Sequence, residues 1–543
     1  MEDTRIPPNV SQQYLMVNDG NATSAESQTD TEKQSSSSSG SPGLSSVTIS
    51  EWIAVLVLCF VNLINYMDRF TIADTSGLMN ELSNEQVFLS LEFAINLYTK
   101  YFHILKVERS LKGVLQSIID DFHMDNSESG LLQTAFILSY MIFAPLFGYL
   151  GDRYNRKVIM SAGVFLWCLT TFVGSFMKSY GWFLFFRALV GIGEASYSTI
   201  APTIISDMFI KDVRSKMLAL FYFAIPVGSG LGYITGGETA RATNQWQWGL
   251  RITPILGVFA IIMILTLVRD PIRGEKEGGS HISSSSWSED IKTLMKNRSF
   301  MFSTAAFTCV SFVTGALAFW GPTFIQYGLK LQNSGEDVNL DDVAYKFGVI
   351  AMIAGLIGVP FGSMLAQKLR VRWHQADPLI CAVGLLISAP LIFLGSVFAS
   401  SNAIACYTLI FFGQLALNLN WSIVADMLLY VVIPTRRSTA EAFQILFAHA
   451  FGDAGSPYLI GVISDALKFV ILPNLTIGWV EPKTAALQMD KDIVNFRSLQ
   501  YALFLTIFIE ILGSAFFFLT AMYIEKDKAL ADNTIAGRHC YSL

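Results

Sequence analysis

Twelve stretches of mostly apolar residues divide this chain, and at roughly 20 residues or more each is long enough to cross about 30 Å of hydrocarbon. They run near 51–73, 128–150, 157–177, 181–207, 215–236, 249–268, 299–328, 342–366, 377–398, 402–430, 437–466 and 498–523. Inside a bilayer the backbone has no water to bond to, so such segments close their hydrogen bonds internally as helices. The composition agrees: 52% of the 543 residues are hydrophobic and only 15% are charged, with a mean hydropathy of +0.45, a balance soluble globular chains rarely show. The sequence predicts an all-α polytopic membrane protein with 12 transmembrane helices.

The connecting loops set the orientation. Clusters of Lys and Arg recur in every second loop, at 152–157, 211–216, 269–298, 367–374 and 434–438. Basic residues are retained in the cytoplasm, which puts both termini there. Residues 1–46 are polar and Ser-rich and read as a disordered cytoplasmic tail, in which Tyr14-Leu15-Met16-Val17 has the form of an endolysosomal sorting signal. Residues 524–543 read as a second cytoplasmic tail. Asn474-Leu475-Thr476 is a glycosylation candidate in a predicted outer loop, whereas the sequons at Asn21 and Asn297 face the cytoplasm. Six scattered cysteines indicate neither a disulfide framework nor a metal site. Residues 74–112 fit poorly: Leu89–Leu105 is apolar enough for a helix, but a thirteenth span would invert all that follows, so the segment reads as an outer insertion.

The chain repeats itself. Ser363-Met364-Leu365-Ala366-Gln367-Lys368 is a degraded copy of Gly148-Tyr149-Leu150-Gly151-Asp152-Arg153, and Ser422–Met427 echoes Thr203–Met208 at nearly the same offset. An Arg-Ser pair follows each copy of the second element, Arg214-Ser215 and Arg437-Ser438. Two halves follow, 51–268 and 299–523, joined by a cytoplasmic linker at 269–298. The turn Gly148 to Lys157 resembles the loop between helices 2 and 3 of the major facilitator superfamily, with Gly151 and Asn155 in place of the usual Ala and Gly. That resemblance implies two pseudo-symmetric six-helix bundles and makes Gly148, Asp152, Arg153, Arg156 and Lys157 a conformational gate between them.

Charges inside spans are costly and usually functional. Asn62, Asn65 and Arg69 form a polar stripe on the first span with Asp68 beside it. Arg187, Gly191, Glu194 and Ser198 share one face of the fourth. Two acids facing two arginines in a low-dielectric cavity form a set able to take up and release a proton. The plain alternative is a static salt-bridge set. In the second half, shifting Arg187 and Glu194 by the repeat offset lands on Cys406 and Gly413, leaving Gln414, Asn418 and Asn420 beside Trp421. His449 with Asp453, and Glu510, read as satisfied helix contacts. Gly228, Gly230, Gly232, Gly236 and Gly237 serve close helix packing, since no strand precedes them and a phosphate loop is excluded.

Asn65–Arg69, Gly148–Lys157, Gly193–Pro202 and Phe221–Tyr233 together resemble the spinster family, over most of the chain from Glu51 to about Lys526. The resemblance implies transport of lysophospholipids or sphingolipids, with Asp68 the proton-sensitive carboxylate and Arg69, Arg187 and Glu194 shaping the headgroup site. Glu194 is also a proton-coupling candidate, Ser198 a headgroup candidate, and Asn65, Tyr197, Asn418 and Trp421 are cavity candidates. The expected partners are the lipid, protons and the bilayer, with no cofactor, no nucleic acid and a monomeric chain. Lysosomal or late endosomal membrane is the favoured location and plasma membrane the second. The rivals are a carrier of another organic anion, a transport-inactive sensor, and a membrane lipid enzyme, against which stand the missing Gly-x-Ser-x-Gly elbow and the scattered histidines.

Overall fold

The computed structural model describes residues 47–71, 118, 121–122, 126–279, 281–282, 285–332, 338, 340–475 and 484–537. The tail at 1–46 with Tyr14–Val17 and Asn21, and the insertion at 74–112, lie outside the described residues. Helix follows helix, and no strand occurs among the described residues. The first half comprises α1 (Ile49–Thr71), α2 (Asn126–Arg153), α3 (Arg156–Gly174), α4 (Tyr180–Met208), α5 (Lys211–Thr243) and α6 (Trp246–Leu267). A linker with a short helix α7 (Trp287–Lys296) leads to α8 (Arg298–Gln332), α9 (Leu340–Arg370), α10 (Ala376–Phe398), α11 (Ala403–Asn418), α12 (Asn420–Val431), α13 (Arg437–Phe447), α14 (Gly455–Leu475) and α15 (Thr484–Ile535). Among the described residues, ten helical runs are long and apolar enough to cross a membrane. The polar-rich α4 and the run from α13 to α14, broken in its middle, complete the twelve expected spans.

Each half packs within itself, α1 on α5 and α6, α3 on α4 and α6, α8 on α15, and α10 on α11 and α15. The halves meet where α13 lies on α2 and α9 and α12 lie on α5. Glycine makes the tightest of the intra-half contacts possible. A Cβ on Gly232 of α5 would stand 2.4 Å from the Met67 carbonyl oxygen of α1, and one on Gly228 would stand 2.5 Å from that of Leu63. The expected packing role of these two glycines is what the structure displays.

Three boundaries differ from the sequence reading. The tenth span is two helices, α11 and α12, joined at Leu419. The eleventh is interrupted at Ala448–Asp453, where a wide π-type turn carries Gly452 at non-helical angles (φ −93°, ψ −109°). The C-terminal tail is not wholly a tail: α15 continues to Ile535, with Ile524, Ala531 and Ile535 buried and Asp527 accepting from the Ser299 amide at 2.7 Å. At about 1.5 Å per residue this helix is far longer than a bilayer is thick. Asn474, expected in a loop, lies in the last turn of α14.

Replacing Gly232 by Val drives a side chain into the α1 backbone. The expected cost is about 1–3 kcal/mol, seen as a lower thermal midpoint of the detergent-solubilised protein; an unchanged midpoint would remove the close-packing role.

Candidate functional site

The four intramembrane charges are brought together, and they pair crosswise. Asp68 and Arg69 are neighbours on α1, while Arg187 and Glu194 are seven residues, about two turns, apart on α4. Arg69 Nε lies 2.6 Å from Glu194 Oε2, and Arg187 Nη1 lies 3.7 Å from Asp68 Oδ2. Asp68 and Glu194 are fully buried. Thr253 of α6 donates to Asp68 Oδ1 at 2.5 Å and Thr171 of α3 to Oδ2 at 3.4 Å, so four helices converge on one carboxylate. The Arg69 guanidinium stands about 5 Å from the ring centres of Tyr66, Phe136 and Tyr140 (5.0, 5.2 and 5.0 Å), and that of Arg187 stands 4.6 Å from Phe136. Such cation–π contacts suit a desolvated guanidinium.

Hydrogen bonding distinguishes the two arginines. Arg69 donates from Nε to Glu194. Arg187 is buried, yet Nε, Nη1 and Nη2 all lack a hydrogen-bond acceptor, and Glu194 Oε1 and Asn65 Oδ1 are likewise unpartnered. Buried polar groups are normally bonded, so this concentration of unused capacity marks a place built for something else to bind.

The other expected cavity residues divide. Ser198 accepts from the Tyr140 hydroxyl at 2.5 Å and donates to the Glu194 carbonyl at 3.0 Å, which ties α2 to α4 beside Arg69. Asn62 donates to the Phe221 carbonyl of α5 at 2.9 Å. Tyr197, expected to line the cavity, instead has no exposed surface and donates to the Leu58 carbonyl, joining α4 to α1. Asn418 donates back to the Gln414 carbonyl at 2.8 Å, and Trp421 packs edge-on against Phe307 at 5.2 Å. His449 and Asp453 satisfy each other at 2.8 Å, as expected, but the break between α13 and α14 also presents the His449 ring edge-on to Tyr140 of the opposite half, at 5.2 Å. Wide turns of this type recur at functional sites.

At the ends nearest the linker the halves are locked by charge. Asp207 of α4 binds Arg156 of its own half at 2.5 Å and Arg437 of the other half at 3.2 Å. Its counterpart Asp426 of α12 binds Arg370 of its own half at 2.8 Å and Arg214 of the other at 2.9 Å. Sequence reasoning used Asp207, Asp426, Arg214 and Arg437 only as markers of the repeat; their co-repetition was the signal for this lock. Both oxygens of Asp152 accept backbone N–H groups at the start of α13, Ser438 at 2.9 Å and Thr439 at 2.8 Å, a helix cap supplied across the interface. A Cβ on Gly148 would meet Ala442 Cβ and the Ser438 carbonyl oxygen, each at 2.6 Å. Of the expected gate residues, Asp152 and Gly148 join the halves directly. Arg153 and Arg156 do so through acids, and Lys157 has no acidic partner among the described residues.

The linker completes the lock. Glu277 accepts from Arg214 of the first half at 2.9 Å and from Arg437 of the second at 2.7 Å. Asp290 on α7 accepts from Arg153 of the first half at 2.5 Å and from Arg436 of the second at 2.7 Å. Each linker carboxylate therefore clasps one arginine from each half.

A two-half helical bundle with a buried charge set and a lock at one end defines a membrane carrier. The Major Facilitator Superfamily family model matches residues 107–457, and the chain belongs to that superfamily. It is 54% identical over 516 residues to Protein spinster of Drosophila melanogaster, covering 89% of this chain and 79% of the relative. It is 43% identical over 508 residues to Protein spinster homolog 1 of Homo sapiens, covering 92% and 84%. Among solved structures, a bacterial homolog to the human lysosomal transporter Spinster, inward-facing and unoccupied, superposes with a TM-score of 0.56 at 19% identity over 89% of this chain and 99% of that one. The transporter FucP in its outward conformation superposes at 0.58 with 14% identity, covering 86% and 99%. The chain is a multi-pass membrane transporter of the spinster family.

Neutralising these two linker carboxylates, Glu277→Gln with Asp290→Asn, strips four arginines of an anionic partner. At about 1–3 kcal/mol for each lost charged contact, the cytoplasmic seam opens at least tenfold more often. A cysteine at Thr439, which is buried at that seam, is then labelled faster by an impermeant maleimide applied from the cytoplasmic side. An unchanged labelling rate would refute the clasp.

Proposed function

We propose that the chain carries lysophospholipids or sphingoid phosphates across a membrane by alternating access of its halves, coupled to protons. The observation that carries the reading is Arg187, a buried guanidinium whose donors are all unused beside an aromatic wall. A planar guanidinium binds phosphate through paired N–H donors, so a phosphate-bearing headgroup is the natural occupant. Arg69 adds positive charge within the same cluster. The second half has no charge at Cys406 or Gly413, the positions matching Arg187 and Glu194. A cavity charged on one side and apolar or amide-lined on the other favours an amphipathic substrate over a compact hydrophilic one.

Proton coupling is assigned to Asp68 and Glu194. Each carboxylate shares its guanidinium with whatever anion enters, so substrate binding and carboxylate protonation compete for the same two cations. In this proposal the lock is the gate: it holds one side shut in this conformation, and its release opens the site to that side. Lysosomal or late endosomal membrane is the proposed location, supported by the location stated for the human Spinster transporter and by the form of Tyr14–Val17. Plasma membrane is the second choice.

The test is uptake of labelled sphingosine-1-phosphate and lysophosphatidylcholine into proteoliposomes under an imposed pH gradient. Asp68→Asn is expected to abolish the response to the gradient. Arg187→Ala is expected to lower apparent affinity about 10- to 100-fold, the loss of a charged hydrogen-bonding contact. Efficient uptake of a small hydrophilic anion with lysolipids ignored would overturn the lipid assignment. A chemically altered product would indicate an enzyme instead.

A further inference from the structure

A further intramembrane carboxylate stands apart from the crossed pairs. Glu441 lies on α13 at the seam between the halves, 5% exposed, next to the Ala442 that abuts Gly148. Its Oε1 accepts from the Tyr222 hydroxyl of α5, in the other half, at 3.5 Å, and its Oε2 is buried with no partner. No cation reaches it among the described residues. Among the described residues, the charged groups named below on the elements around α13 take other partners. On α2, Asp152 caps α13 itself and Arg153 binds Asp290. On α4, Arg187 faces Asp68, Glu194 binds Arg69, and Asp207 binds Arg156 and Arg437. On α12, Asp426 binds Arg214 and Arg370, and Tyr430 donates to Asp377. In the turns at either end of α13, Arg436 binds Asp290, and His449 binds Asp453. Toward α8 the neighbouring polar contact is neutral, Gln444 to Thr304 at 3.5 Å. Tyr140 of α2 donates to Ser198.

An ionised carboxylate with one weak hydrogen bond, one empty oxygen and no cation is not sustained in an apolar interior, whereas the neutral acid is. What buries Glu441 is the seam. When the cytoplasmic ends part, α13 leaves α2 and α5 and the carboxyl meets cytoplasmic water. We propose that Glu441 is a proton-binding residue of the second half, which takes up a proton as the cytoplasmic side closes and returns it to cytoplasmic water as that side opens. No bond other than the carboxyl O–H forms or breaks. Asp68 and Glu194 sit against arginines; Glu441 has none, so its protonation answers to the state of the seam and not to an anion in the site.

The inference rests on the alternating-access reading above but not on the identity of the substrate, and its test uses no lipid substrate. Spin labels at Tyr154 and Trp373, both 59% exposed on the cytoplasmic side of opposite halves, are introduced by cysteine substitution into a chain lacking its native cysteines. Electron–electron double resonance in nanodiscs then gives the ratio of closed to open protein as a function of pH. A proton taken up on closure makes that ratio fall as pH rises, by up to about tenfold per pH unit. Glu441→Gln is expected to reduce the slope by that one proton, and Glu441→Asp to keep it. Glu441→Met, neutral and of similar volume, stands in if the Gln variant fails to insert. A wild-type slope in either neutral variant, or no pH dependence in the wild type, overturns the proposal. Absence of lysolipid transport would overturn the proposed substrate and leave this result intact.

Discussion

At the linker-side ends of the two halves, one aspartate per half accepts an arginine from its own half and another from its neighbour. Asp207 and Asp426 occupy corresponding places, and Arg437 and Arg214 cross the seam in opposite directions to reach them. Arg156 and Arg437 are 1% exposed, so these pairs are desolvated, and a desolvated charge that loses its partner is far more costly than one at the surface. Arg153, Arg156, Arg214, Arg370, Arg436 and Arg437 are met by as many carboxylates: Asp207, Asp270, Glu277, Asp290, Asp377 and Asp426. Three of these acids lie in the linker or at its start. The linker is thus part of the lock as well as the tether between halves.

In the proposed cycle the crossed pairs on α1 and α4, the seam between α2 and α13, and the lock beneath them act together. The same seam holds the Asp152 cap, the contact of Gly148 with Ala442, and Glu441, so parting it would disturb all three. Packed interfaces of this kind switch between discrete arrangements and do not deform gradually, which lets a small change at a buried charge move whole halves.

Much of this was legible in the sequence because membrane chemistry is restrictive. The apolar runs located the spans, and charges at seven-residue spacing on α4 put Arg187 and Glu194 on one face. The offset of the repeats pointed to Asp207 and Asp426 without revealing their partners. Arg156, Arg214, Arg370 and Arg437 all lie in basic loops, where every arginine looks alike until the fold brings one against an acid. Tyr197 was a cavity candidate within the spinster-like stretch Gly193–Pro202; packing turned its hydroxyl toward the Leu58 carbonyl. Glu441 stood out less than Arg187 because it begins a span, where acids near the water are ordinary.

The sequence by itself determined the class of molecule, its two-fold build and the helices that carry charge, because hydropathy and periodicity are properties of single segments. Tertiary structure alone decided which acid serves which arginine, that Arg187 keeps its donors free, that the linker clasps both halves, and that Glu441 is buried without a cation. Each of these depends on distances between segments far apart in the chain, and on water being excluded from one particular seam.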